Sequence, residues 1–124
     1  MRLLPLLAAC LLPAWAAMAA PADDAARGKD LFTTCAVCHT IAKGQPNKLG
    51  PNLNGIVGAK AGTRAAFAYS PAMKAAAIQW NDKTLDAFLT KPQAAVPGNR
   101  MPYGGMADPA SRRALIAYLK DAGR

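Results

Sequence analysis

Thr34-Cys35-Ala36-Val37-Cys38-His39-Thr40 sets two thiols and one imidazole within five positions. The rest of the 124 residues holds one further cysteine, Cys10, and no further histidine. A chain this short has a limited core and commonly relies on a disulfide, a metal or a cofactor to hold it together. What these three side chains bind therefore decides the architecture.

Outward from that stretch, the N-terminus reads as a separate segment. Arg2 is the only charge before Asp23, and the residues between are mostly leucine and alanine. A short basic start, an apolar run and the small-residue site Ala17-Met18-Ala19 describe a secretory signal peptide over residues 1–19, cut before Ala20. The alternative is an uncleaved anchor, since the run is just long enough to span a bilayer; Pro5 and Pro13 would interrupt such a helix. Leu7-Ala8-Ala9-Cys10 resembles a lipidation box, but its apolar core would be very short. Cleavage leaves residues 20–124 as one domain, with 14 Lys and Arg against 7 Asp and no Glu, a formal charge of +7. Cys35 and Cys38 are then the only thiols.

Short helices and long loops are expected along that domain. Asp23 or Asp24 caps a first helix reaching Cys35. Residues 40–69 are punctuated by glycine and proline and carry no sustained period, so they read as irregular. Ser70-Pro71 starts a short helix to about Ala77. Asn81-Asp82 caps a third helix to Thr90, with Leu85, Phe88 and Leu89 at helical spacing and Pro92 just beyond its end. Asp108-Pro109 opens a last helix to Ala122, stopped by Gly123. No strand-type alternation occurs, so the class is all-α. Long loops in so small a domain need something central to pack against.

Four readings of Cys35-x-x-Cys38-His39 compete. A disulfide is compatible with export, but a redox dithiol belongs beside a βαβ pattern, which is absent. A structural zinc site needs four Cys and His ligands, and the exported chain offers three. Chance would have to bring the thiol pair and the sole histidine together. The fourth reading is the covalent haem attachment signature: two thioethers to the haem vinyl groups and an adjacent histidine on iron. A second axial ligand then separates electron transfer from ligand chemistry. The candidates are Met73, Met101 and Met106. Met73 lies in the short helix and reads as an apolar packing residue, and Met106 follows the flexible Gly104-Gly105. Met101 sits in the turn-rich Pro97-Gly98-Asn99-Arg100-Met101-Pro102, where prolines on both sides can fix a thioether, and is the preferred ligand.

With these residues in hand, the chain resembles a class I c-type cytochrome, close to the mitochondrial kind and its soluble bacterial relatives. Beyond Cys35-Ala36-Val37-Cys38-His39, the resemblance rests on Gly50-Pro51-Asn52-Leu53, Tyr69, Trp80, Pro97-Gly98 before Met101, and Leu115-Ile116-Ala117-Tyr118-Leu119. It implies a small cytochrome c fold around one haem c per chain, its iron held by His39 and Met101. The Pro51 carbonyl should accept the imidazole N–H of His39, and Tyr69 and Trp80 should donate to a buried haem propionate. Gly28 and Phe32 should meet Leu115 and Tyr118 where the first and last helices cross. Three residues depart from the mitochondrial pattern. Ala59 replaces an arginine near a propionate, so that carboxylate is expected to lose a charged partner. Phe88 replaces a tyrosine whose hydroxyl contacts the axial sulfur, and Met73 replaces an asparagine of a buried network.

The expected function is a soluble, periplasmic, single-haem electron carrier, monomeric and not an enzyme. The resemblance places Lys43, Lys48, Lys91 and Arg100 near the haem edge, where they would steer redox proteins with acidic docking surfaces. Thr34, Gln93 and Ala94 fall where the mitochondrial kind often carries lysine, so this rim is thinner. Nucleic acid is a poor partner, since no recognition motif accompanies the charge, and membranes are met only through partner complexes. The alternatives are a ligand-binding or peroxidatic haem protein, or a permanently bound subunit of a larger oxidase or dehydrogenase.

Overall fold

The computed structural model describes residues 21–124. The expected leader over residues 1–19 lies outside the described residues. Five helices follow in order: α1 (Pro21–Cys35), α2 (Pro71–Ala75), α3 (Asp82–Thr90), α4 (Pro92–Ala95) and α5 (Pro109–Ala122). The sequence places Asp23 or Asp24 as the cap of α1, but the helix already begins at Pro21 and both aspartates lie within its first turn. There they still complement the positive end of the helix dipole.

The first and last helices cross through a gap in side-chain volume. A Cβ on Gly28 would run into the Ala114 carbonyl and the Tyr118 Cβ, so only glycine permits this approach. Phe32 and Tyr118 close one side of the crossing as a tilted aromatic pair with centroids 5.3 Å apart. Charged groups flank it. Arg27 Nη2 donates to Ser111 Oγ at 2.9 Å and lies 3.6 Å from Asp108, while Arg113 reaches Asp24 at 3.5 Å. Such exposed pairs add little energy; the packed apolar crossing carries the stability. Leu115, Ile116 and Leu119 of α5 are buried against Phe32, Leu85, Phe88 and Leu89 in one core.

Capping follows the expected chemistry. Ser70 accepts from the Met73 N–H at the start of α2, and Asn81 and Thr84 form a reciprocal capping box at α3. Asp108 accepts from Ser111 N at 2.9 Å to open α5. Two details differ from expectation. The second helix ends at Ala75 rather than Ala77, because Ala77 turns to φ 53°, outside the helical region. Pro92 does not merely follow α3; it occupies the first turn of α4, where its missing N–H costs nothing.

The long segment between α1 and α2 is irregular, as read, but ordered by backbone bonds. Gly58 N donates to Trp80 O, Trp80 N to Ala59 O, and Ala61 N to Ile78 O. The stretch before α3 thus lies along residues 58–61, with one antiparallel bridge between Lys60 and Gln79. The segment before α5 is fixed at Gly105, whose φ of 111° and contact with the Thr90 carbonyl exclude a side chain. Met106 N then donates to Leu89 O at 2.7 Å. Arg112 completes this junction: buried, it donates to Asp86 at 2.7 Å and to the Met106 and Ala107 carbonyls at 2.9 Å each. Among the described residues, no helix is long and apolar enough to cross a membrane.

Candidate haem site

The attachment stretch is a single tight turn on the end of α1. The Cys35 carbonyl accepts from Cys38 N at 3.0 Å and from His39 N at 2.9 Å, after Ala36 N has closed the last helical bond to Phe32 O. The two-residue spacer between the cysteines is what this turn needs. Both thiols are free, and burial pushes the Cys35 thiol up. Among the described residues no group of three or more His, Cys, Asp or Glu side chains is placed to hold a metal ion.

A second segment is laced against the turn and shapes the imidazole. Gly50 N donates to Cys38 O at 2.8 Å, Leu53 N to Thr40 O at 2.9 Å, and Lys48 Nζ to Ala36 O at 2.7 Å. Gly50 is buried on the His39 ring, where any Cβ would overlap the imidazole. The next residue supplies the hydrogen bond: His39 Nδ1 lies 2.7 Å from the Pro51 carbonyl. A carbonyl can only accept, so Nδ1 carries the hydrogen and Nε2 keeps its lone pair for a metal. The His39 pKa is lowered, chiefly by burial; the Pro51 bond raises it and the nearby Lys48 charge lowers it further. The neutral, ligating form is favoured.

The three methionines sit differently. Met73, Met101 and Met106 are all partly buried against the core. Met73 belongs to α2, in keeping with its reading as a packing residue. Met106 is tied down by its own backbone, through Leu89 and Arg112. The loop bearing Met101 is held by a residue the sequence reading passed over. Pro97 and Pro102, the expected stiffeners, are exposed. Asn99 is buried and donates to Pro92 O at 2.9 Å and Val96 O at 2.8 Å, while its Oδ1 accepts from Met101 N at 2.9 Å. Gln93 Nε2 adds a bond to the Asn99 carbonyl at 2.8 Å. The available signal was an asparagine two residues before the methionine, in a loop following proline and glycine.

Trp80 is buried and its ring packs on Phe88 with centroids 5.1 Å apart. Tyr69 is half-buried, its hydroxyl accepting from Arg64 N at 3.2 Å. Burial pushes the Tyr69 phenol up, while the Arg64 backbone bond and charge act the other way. Arg64 itself was not singled out in sequence. Its Nε and Nη2 are enclosed by protein without a hydrogen-bond partner. Two thiols, an imidazole with its lone pair free and a glycine-cleared ring face fit haem, with its vinyl groups and iron.

Comparison with known proteins agrees with the geometry. The family model for cytochrome c matches residues 25–123. A cytochrome c of Chlamydomonas reinhardtii is 50% identical over 104 residues, covering 83% of this chain and 93% of the relative. That of Gossypium barbadense is 45% identical over the same length, covering 83% and 94%. Among solved structures, cytochrome cH from Methylobacterium extorquens superposes with a TM-score of 0.75 at 39% identity, covering 79% of this chain and 98% of that one. The chain belongs to the cytochrome c family, a class I c-type cytochrome whose cofactor is covalently attached haem c.

Proposed function

We propose that this electron-transfer haem protein is an exported, soluble, monomeric carrier of the periplasm, its leader over residues 1–19 removed before Ala20. The observation that carries the ligand assignment is the 2.7 Å bond from His39 Nδ1 to the Pro51 carbonyl, one turn from two free thiols. Haem c, when bound, supplies one-electron cycling of its iron between ferrous and ferric. Cys35 and Cys38 would hold it as thioethers, and His39 Nε2 and the Met101 sulfur would ligate its iron. Pro51 fixes the imidazole and makes it a stronger donor. Asn99 holds the Met101 loop, which would keep that sulfur in place in either oxidation state and limit reorganisation on transfer. Tyr69 and Trp80 would donate to a propionate.

Partners dock where the attachment turn meets solvent. Val37, between the cysteines, is 71% exposed, and Leu49, beside Gly50, is 83% exposed. Lys43, Lys48, Lys91 and Arg100 are exposed cations that suit acidic redox proteins in a brief, small interface.

The test is spectroscopic and by mass. The protein should weigh as Ala20 to Arg124 plus one haem, and the haem should resist acid extraction. The ferric form should show the weak near-infrared sulfur-to-iron band, and the ferrous form should resist carbon monoxide. Met101→Ala should abolish the band, admit carbon monoxide and lower the potential, while Met106→Ala changes none of these. Ready carbon monoxide binding by the wild-type ferrous protein would overturn the carrier assignment in favour of a ligand-binding haem protein.

A further inference from the structure

We propose that Asn47 is a positioning residue for His39, acting through the peptide unit that joins Pro51 to Asn52. The carbonyl of that unit takes the imidazole hydrogen, with His39 Nδ1 2.7 Å from the Pro51 oxygen. Its N–H end belongs to Asn52 and donates to Asn47 Oδ1 at 2.8 Å. One planar group is therefore held at both ends, by the ligand ring on one side and by Asn47 on the other. Asn47 is fixed in turn, because its Nδ2 donates to the Ala65 carbonyl at 3.1 Å. One partner can only donate and the other can only accept, so the Asn47 amide has a single orientation that satisfies both.

An asparagine that only serves a turn bonds its own backbone two positions on. Asn47 instead reaches five positions ahead with its oxygen and eighteen with its nitrogen. The chain between is shaped to bring it there. Lys48 N donates to Gly50 O at 2.9 Å, and Gly50 packs on the imidazole where any Cβ would overlap it. Gly50 thus bounds the ring face, while Asn47 sets the plane of the acceptor. Two further asparagines brace the same segment from outside this line. Asn52 Nδ2 donates to the Ala42 and Gln45 carbonyls at 2.8 and 3.0 Å, and Asn54 Nδ2 to Ala122 O at 3.0 Å. A hydrogen bond accepted from an amide N–H polarises that amide and makes its carbonyl a better acceptor. Asn47 therefore strengthens the bond at Nδ1, and a stronger bond there raises the basicity of the Nε2 lone pair.

The assignment rests on the haem ligation proposed above, and the test separates the two. A wild-type chain without covalent haem would sink both; a holoprotein indifferent to Asn47 would sink this assignment alone. The readout is the His39 Nδ1 proton, followed by NMR in the ferrous holoprotein. Asn47→Ala should move it upfield and speed its exchange with solvent about fivefold, the loss of one hydrogen bond. The midpoint potential should rise, because a weaker imidazole donor favours the ferrous state. Asn47→Asp keeps the acceptor and charges it, so the proton should move downfield and the potential should fall. Both variants lose the bond to Ala65, so a merely structural role would move both the same way. Asn54→Asp sets the same charge on the same loop outside the line and should leave the proton where it is. An Nδ1 proton unchanged in an Asn47→Ala protein that melts earlier would overturn the assignment, leaving Asn47 a staple between loops. Equal displacement by Asn54→Asp and Asn47→Asp would overturn it too. If Asn47→Ala yields no holoprotein, Asn47→Asp decides: a downfield proton supports the assignment and any other result overturns it.

Discussion

Asn99→Ala removes the anchor of the ligand loop without touching either proposed ligand. Three side-chain bonds disappear: those to the Pro92 and Val96 carbonyls and that from Met101 N. At about 1 kcal/mol net for each, they contribute on the order of 3 kcal/mol to this loop conformation. The bond from Met101 N must break whenever the methionine withdraws, which sets a floor of about 1 kcal/mol. The other two break only if the turn at residues 96–99 also opens. Alkaline loss of the axial sulfur is an equilibrium between the held and withdrawn loop. One pH unit in its midpoint corresponds to about 1.4 kcal/mol. The midpoint for loss of the near-infrared band should therefore fall by about one to two pH units in Asn99→Ala. Titrating wild type and variant at matched salt, with a thermal melt of each, reads both effects. A midpoint unchanged from wild type in a variant that melts earlier would refute the reasoning, because Asn99 would then support the fold but not the ligand.

Gly28→Ala sets two effects against each other: helix propensity gains about 1 kcal/mol, while crowding against Ala114 and Tyr118 costs about 1–3 kcal/mol. The clash is with backbone and with a Cβ, neither of which can rotate away, so the melting temperature should fall; a rise would show that the crossing can open. Asp108 has its pKa lowered, first by the Ser111 hydroxyl and then by the Ser111 N–H. Its contribution is therefore present above the ordinary carboxylate range and lost as pH falls through the lowered value. The melting-temperature gap between wild type and Asp108→Ala should close on acidification, and a gap independent of pH would remove the ionised cap from the account. Arg100→Glu should slow electron exchange with an acidic partner more than Lys120→Glu does, and the difference should shrink with added salt. Lys120 sits on α5, paired with Asp82 at 2.5 Å, so equal effects at the two sites would leave only net charge.

What the sequence makes legible here is whatever is local. Ser70, Asn81 and Asp108 each precede a helix they cap, and a cap depends on three or four neighbouring residues. The attachment turn is local too: one carbonyl, that of Cys35, serves the N–H groups of both Cys38 and His39. The boundaries that differ are equally physical. The sequence gives no warning that Ala77 will take a positive φ, since alanine favours helix; the turn toward Ile78 and Trp80, paired with residues 58–61, imposes it. The helix at Pro92 was hidden because proline signals both an end and a beginning.

The residues missed share a different property: each acts across space on partners that a linear reading does not bring together. Arg112 joins Asp86 of α3 to the carbonyls of residues 106 and 107. Asn99 looks like a turn residue, and its value lies in bonds to Pro92 and Val96 that exist only because α4 forms. Both residues were hidden for the same reason: a side-chain bond to a carbonyl three to seven residues back exists only once the intervening chain has turned, and nothing in the spacing of the letters says that it will.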